Sequence, residues 1–199
     1  YMFDYCLHGN VTIEGLIINY TVFMAFGEVT CMIFGGLSPV FTKTVGSKRM
    51  AFFWSALLCL VLSIAFFFIP MSPDYIWVMI ALVILTSIGI GIYSPLMWSM
   101  YADVADYHTE HFGTSATGLI FSSGTMSQKF GTAISGSLIA LFLGWAGANM
   151  ITDKMGNTVI DPTSITDSVL MMVWSLFSLF PAAIAFLLMV LSYKFPIKK

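Results

Sequence analysis

The feature that most constrains this chain is a series of apolar stretches, each long enough to cross a lipid bilayer. About 20 mainly apolar residues suffice for one crossing as an α-helix. The sequence predicts five complete spans and the end of a sixth, at about 13–41, 50–69, 75–102, 116–145 and 169–193, with the partial one at 1–8. A backbone in lipid must satisfy its own hydrogen bonds, and barrel strands would be only about 9–11 residues long. These stretches therefore predict an all-α membrane protein.

Composition agrees with this fold class and excludes several functions. Hydrophobic residues make up 58% of the chain and charged residues 9%, with a mean hydropathy of +0.90, whereas about a quarter of the residues in soluble domains are charged. The net charge of −2 is too small to indicate a nucleic-acid partner. No HExxH, GxSxG or Walker motif occurs, so we predict no enzymatic activity and no cofactor. Three cysteines without paired spacing are expected to be small apolar residues: Cys6, Cys31 and Cys59.

Basic residues predict the orientation of the spans, because short loops rich in Lys and Arg stay in the cytoplasm. Alternating sides place six of them together: Lys43, Lys48, Arg49, Lys194, Lys198 and Lys199. Only Lys154 falls in a loop on the opposite side. The C-terminus and the acidic segment after Ala102 are therefore predicted to be cytoplasmic.

Lys129 lies near the middle of its predicted span. A bare ammonium group at the bilayer centre costs at least about 2.5–3.5 kcal/mol, so such residues usually face protein or water and mark functional sites. Small and polar residues recur around it at spacings of three or four: Ser122, Thr125, Thr132 and Gly136. This spacing places them on one helix face. The stripe predicts the wall of a water-filled cavity, with a packing seam as the alternative.

Glu28 is the only carboxylate deep in a predicted span. A charged side chain there is costly unless it is paired or neutralised. It could bind a proton or a cation, accept a hydrogen bond from a polar substrate, or form a structural pair with Lys129.

Asp103 and Asp106 are three residues apart, so their carboxylates share a face if the segment is helical. We expect them to follow the C-terminal end of their helix, where its dipole disfavours anions. They could pair with basic groups when one side of a transporter closes, or be hydrated loop carboxylates. His108, Glu110 and His111 have no further clustered ligands nearby, so we predict no metal site.

Several motifs resemble one family. Residues 102–107 (ADVADY) resemble its ADxxDY motif after the tenth helix, 118–122 (GLIFS) its GLxFS opening of the eleventh, and 128–131 (QKFG) its xKxG centre. The family is that of the glycoside–pentoside–hexuronide:cation symporters, the melibiose permease group of the major facilitator superfamily. The usual Arg-x-Glu before GLxFS is replaced here by 115–117 (SAT).

The resemblance implies the C-terminal six-helix half of a twelve-helix sugar symporter, with an N-terminal half as its missing partner. It implies that Lys129 lies beside the cation and sugar sites and that Asp103 and Asp106 act at a cytoplasmic gate. We expect Ser122, Thr125, Glu28, Tyr93 and Trp98 to be further contacts in the substrate and cation cavity, although Trp98 could equally serve packing.

The expected function is secondary transport of a sugar or glycoside coupled to Na⁺ or H⁺, in a bacterial inner or plasma membrane. One alternative is a carrier for an anionic solute, such as a hexuronide or a sulfonated sugar, with Lys129 neutralising the substrate. Another is a non-transporting sensor or scaffold that keeps the fold.

Overall fold

A computed structural model describes residues 11–13, 16–18, 20–70, 72–152 and 158–194. Its five long helices are α1 (Tyr20–Val45), α2 (Lys48–Phe67), α3 (Ile76–Phe112), α4 (Thr117–Trp145) and α5 (Asp167–Lys194). Four of them, all except α4, are long and apolar enough to cross a membrane. The 29 residues of α4 are ample in length, but hydroxyl groups and Lys129 lower its hydropathy. Its membrane crossing remains a prediction. The predicted partial span at 1–8 lies outside the described residues.

Helix α1 differs from the prediction at both ends. It begins at Tyr20 rather than near residue 13, because Val11–Ile13 and Leu16–Ile18 pair as short antiparallel strands β1 and β2. It also continues through Pro39 to Val45. Gly46 ends it, with φ of +80° and its N–H donating to Thr42 O, as a left-handed glycine commonly does after a helix.

The predicted position of Asp103 and Asp106 beyond the end of their helix is wrong. Helix α3 does not end at Ala102 but runs to Phe112, so Asp103 and Asp106 lie inside it and not in a turn beyond it. Gly113, at φ +67°, caps the helix with its N–H on Thr109 O. The expected dipole penalty at a helix end therefore does not act on these carboxylates, because it is confined to the last turn.

The segment between α4 and α5 contains two further short strands. These are β3 (Met150–Thr152) and β4 (Thr158–Ile160), which pair in antiparallel fashion. At Asp161 the Thr163 backbone N–H donates to the carboxylate at 2.9 Å. This hydrogen bond, with that of the Thr163 side chain, holds the pKa of Asp161 below its ordinary value.

The core is formed mainly where α2 packs on α5 and where α3 packs on α1 and α2. One cluster is centred on Trp174, whose ring lies 5.3 Å from that of Phe66. Trp174 Nε1 donates to the carbonyl of Phe67 at 3.2 Å. This bond fixes α5 to the end of α2 and satisfies a carbonyl that has no donor within its own helix.

Glycines let α3 approach its neighbours closely. A Cβ atom at Gly91 would lie 2.6 Å from the carbonyl oxygen of Cys31 in α1, and one at Gly89 would lie 2.5 Å from the Sγ of Cys59 in α2. About two turns further along α1, the buried Ser38 hydroxyl donates to Ile92 O at 3.1 Å. Small residues at such contacts are usual in membrane proteins, where van der Waals packing between helices replaces the hydrophobic effect.

We expect Gly91→Ala to destabilise the fold by about 1–3 kcal/mol, because the new methyl group meets backbone atoms that cannot rotate away. The measurement is unfolding in detergent micelles followed by circular dichroism. Gly36→Ala in α1 is the matched control, since no atom lies within 4 Å of its added Cβ. The control should match or exceed the parent protein in stability, because Ala is the better helix former. Equal stability of both variants would contradict the close approach.

Candidate functional site

Helix α4 has one face that packs on the bundle. Four of its residues line a cavity of about 470 Å³ with residues of α3 and α5: Ile120, Ser123, Gly124 and Ser127. The Phe121 ring stacks on that of Trp98 at 6.2 Å. Gly124 is buried against the Tyr101 ring, which a Cβ atom would approach to 2.6 Å. These contacts fix the rotation of α4 about its own axis.

The predicted polar stripe lies on the other face of α4. Ser122, Thr125 and Lys129 are all exposed, and Lys129 is rotated about 200° from the cavity-lining Ser127. The Ser122 and Thr125 hydroxyls donate to carbonyls of their own helix, at 3.1 Å and 2.8 Å. The stripe is therefore a smooth surface of small residues from which one ammonium group projects. No side chain in the described part of the chain pairs with Lys129.

Glu28 and Lys129 are not brought together. Glu28 is exposed on α1, and helices α1 and α4 are not among the pairs that pack extensively. Within the described residues the two side chains form no ion pair, so the structural pair considered from the sequence is not made. Glu28 instead lies on the wall of a separate cavity between α1, α2, α3 and α5.

Tyr93 and Trp98, both predicted cavity contacts, belong to packing clusters. The Tyr93 ring lies 5.6 Å from that of Phe52 in α2, and Tyr93 also lines a cavity of about 200 Å³ between α2, α3 and α5. Trp98 contacts Tyr101 edge to face at 5.6 Å in addition to its stack on Phe121. Trp98 therefore joins α3 to α4, the packing role that the sequence analysis left open.

Asp103 has a defined partner that sequence reasoning did not name. Lys48 Nζ lies 2.8 Å from both carboxylate oxygens of Asp103, and the Asp103 side chain is only 13% exposed. Lys48 is the first residue of α2, where the helix dipole disfavours a cation, and the carboxylate offsets that cost. The sequence predicts both residues on one side of the membrane, but only the packing of α2 on α3 pairs them.

The remaining polar residues at this end of α3 make local contacts. Asp106 is exposed. His108 Nδ1 hydrogen-bonds Thr114 O, and His111 Nδ1 hydrogen-bonds Tyr107 O, each at 3.0 Å. The histidines thus bond to one carbonyl within α3 and to one just beyond its end.

Comparison with known proteins identifies several relatives that match part of this chain. A protein from Pseudescherichia vulneris, described only as an uncharacterised 29.9 kDa protein, is 39% identical over 101 residues, covering 51% of this chain and 36% of that protein. The inner membrane symporter YicJ of Escherichia coli K12 is 30% identical over 129 residues, covering 63% of this chain and 27% of that protein. A glucuronide carrier protein homologue of the same organism is 33% identical over 114 residues, covering 56% of this chain and 24% of that protein.

These aligned segments therefore cover only about a quarter to a third of the relatives' own lengths. No solved structure matches the chain significantly. The family model for the MFS/sugar transport proteins matches residues 10–199, almost the whole chain. With its apolar helices, this match makes the chain a multi-pass membrane protein that belongs to the MFS/sugar transport family, a family of transporters rather than enzymes.

Proposed function

We propose that this chain is the C-terminal part of a symporter that moves a sugar or glycoside across the membrane together with Na⁺ or H⁺. The observation that carries the proposal is the surface formed by the polar stripe of α4, which faces away from the bundle and presents Lys129. The family match along 10–199 supports it. In such transporters, sites lie near the midplane between two repeats, and one bundle rocks against the other.

The position of Lys129 along α4 suits this role. It lies roughly 18 Å from the start of the helix at Thr117, in a helix roughly 43 Å long, so it falls near mid-depth. An ammonium group at that depth needs protein or water around it. The helices that pack on α4 do not provide this cover, because they contact its opposite face. A second six-helix bundle facing the stripe would enclose Lys129 in an aqueous cavity.

The Lys48–Asp103 pair provides a candidate cytoplasmic gate. Asp103 lies about 40 Å along α3 from its start at Ile76, beyond a hydrocarbon core of about 30 Å. The pair therefore joins α2 and α3 at their membrane surface. By the positive-inside rule this surface is cytoplasmic, because Lys43 and Arg49 lie there too. An ion pair that holds two helix ends together can bias which side of the transporter is closed.

A second substrate class, an anionic sugar derivative, has one observation in its favour. Lys129 has no acidic partner within the described residues, so its charge is available to a substrate carboxylate. One of the relatives is named a glucuronide carrier homologue. In this version Lys129 neutralises the substrate itself instead of linking cation and sugar sites.

Lys129→Ala should reduce gradient-driven sugar accumulation in proteoliposomes by at least about tenfold, equivalent to about 1.4 kcal/mol of lost coupling. Lys129→Arg keeps the charge and should retain part of the activity. Lys43→Ala, at the exposed end of α1, serves as the control and should transport normally. If Lys129→Ala accumulates sugar as well as a transporting parent protein does, the role proposed for Lys129 is wrong. If the parent protein itself accumulates no sugar, the sensor or scaffold alternative is favoured.

The two substrate classes are separated by comparing uptake of neutral glycosides with uptake of hexuronides. If Lys129 neutralises the substrate, Lys129→Gln should lose hexuronide uptake and keep glycoside uptake, because only the hexuronide carries a compensating charge. Equal loss of both would support the coupling role. Expression levels and folding of the variant, measured by size-exclusion chromatography, control for general damage.

For the Lys48–Asp103 pair, we expect Lys48→Met to lower stability more than Asp103→Asn, because it leaves a largely buried carboxylate unpaired. The double variant should reveal a coupling free energy of about 1 kcal/mol in a double-mutant cycle. The exchanged pair, Lys48→Asp with Asp103→Lys, should recover part of the transport rate lost in either single reversal. Additive effects and no recovery would show that the pair has no gating role.

A further inference from the structure

The cavity of about 470 Å³ between α4 and the rest of the bundle has a mainly apolar wall. Its lining includes aliphatic side chains from three helices: Met97, Met100, Ile120, Leu188 and Leu191. The Ser123 and Ser192 hydroxyls also line it, but they donate to carbonyls of their own helices at 2.9 Å and 2.8 Å. Because these hydroxyls are engaged, the wall suits a hydrocarbon occupant better than water, which needs two to four polar partners.

The cavity is open at its side, between α4 and α5. Leu191 of α5 lines it and is 64% exposed, and Ser127 of α4 lines it and is exposed as well. Along α3 the cavity extends from Val104, next to Asp103 of the ion pair, to Met97, about 10 Å away. Since that pair lies at the membrane surface, the cavity begins there and extends into the bilayer. A lipid of the adjacent leaflet can therefore reach it from the side.

Lys194 provides a positive charge at the surface end of this opening. It lies in the last turn of α5, three residues after Leu191, so the two side chains share a helix face. It is exposed and forms no ion pair within the described part of the chain. The sequence continues with Lys198 and Lys199. Basic residues next to a span attract the anionic headgroups of the cytoplasmic leaflet, and this is the side on which they are predicted to lie.

We infer that the cavity binds one acyl chain of an anionic phospholipid, with the lipid phosphate at Lys194. Its volume of about 470 Å³ is roughly three times that of a cavity that accommodates benzene in another protein, so a large part of one chain fits. The two methionines of the wall adapt to a flexible chain, because their side chains are unbranched and polarisable. The lipid fills the space that α4 leaves by packing on the bundle with one narrow face.

The test uses phosphatidylglycerol that carries a photoreactive diazirine in one acyl chain. It is a minor component of phosphatidylcholine nanodiscs that hold the intact protein, and mass spectrometry of peptides locates the attached lipid after illumination. Peptides that contain Ile120 and Leu191 should be labelled more strongly than the α1 peptide that contains Met32. Met32 is the reference because its side chain is 84% exposed on the outside of the bundle.

Two variants test the cavity and the charge separately. Ser127→Phe fills the opening and should remove the excess labelling, whereas Ser137→Phe is the matched control, since Ser137 is exposed on the same helix but does not line the cavity. Lys194→Gln should lower cavity labelling about fivefold, the effect of one basic residue at an anionic membrane surface. Lys194→Arg should restore the labelling, and Lys43→Gln, at the exposed end of α1, should not change it.

Equal labelling of the cavity peptides and the α1 peptide would overturn the inference, as would unchanged labelling in folded Ser127→Phe. If phosphatidylcholine with the same diazirine labels the cavity as strongly, or if Lys194→Gln retains full labelling, the assignment of an anionic lipid is wrong. Circular dichroism and size-exclusion profiles identify any variant that fails to fold, and the exposed Lys194 then provides the deciding comparison. None of these measurements depends on transport, so this inference and the proposed function fail separately.

Discussion

The bundle depends on the close approach of helix backbones at α3. In a membrane, apolar burial between helices adds little, because lipid tails are as apolar as side chains, and van der Waals contact must hold the helices together. Gly91 meets the backbone of α1 at Cys31, and Gly89 meets α2 at Cys59. The Ser38 hydroxyl adds a buried hydrogen bond to this contact. Since α3 contacts α1, α2 and α4, it positions every candidate site described here.

Helix α4 is held differently from the other helices, because only one narrow face of it packs on the bundle. It packs on α3 mainly around Gly124 and Phe121, and the greater part of its surface is exposed. A helix that buries only one narrow face leaves its polar stripe and Lys129 for another partner. The small contact area of α4 agrees with the proposed transport role, because a bundle that rocks needs a surface that is not locked into its own core.

The two intramembrane charges belong to different places. Lys129 projects from the stripe of α4, while Glu28 is one of the residues that line a cavity between α1, α2, α3 and α5. Their separation removes the simplest explanation for either charge, which is mutual neutralisation. The Lys48–Asp103 pair shows the opposite solution, in which the protein neutralises its own charges at a helix end.

Sequence alone determined the membrane class, the five helices and the polar face of α4, because these depend on local hydropathy and a periodicity of 3.6 residues. It misplaced the ends of α1 and α3, although Gly46 and Gly113 were the signals that could have marked them. Only the tertiary structure decided that Lys48 pairs with Asp103 and that Glu28 does not reach Lys129. Such pairings join residues far apart in the chain, and they depend on which helices pack together, a property that no single segment encodes.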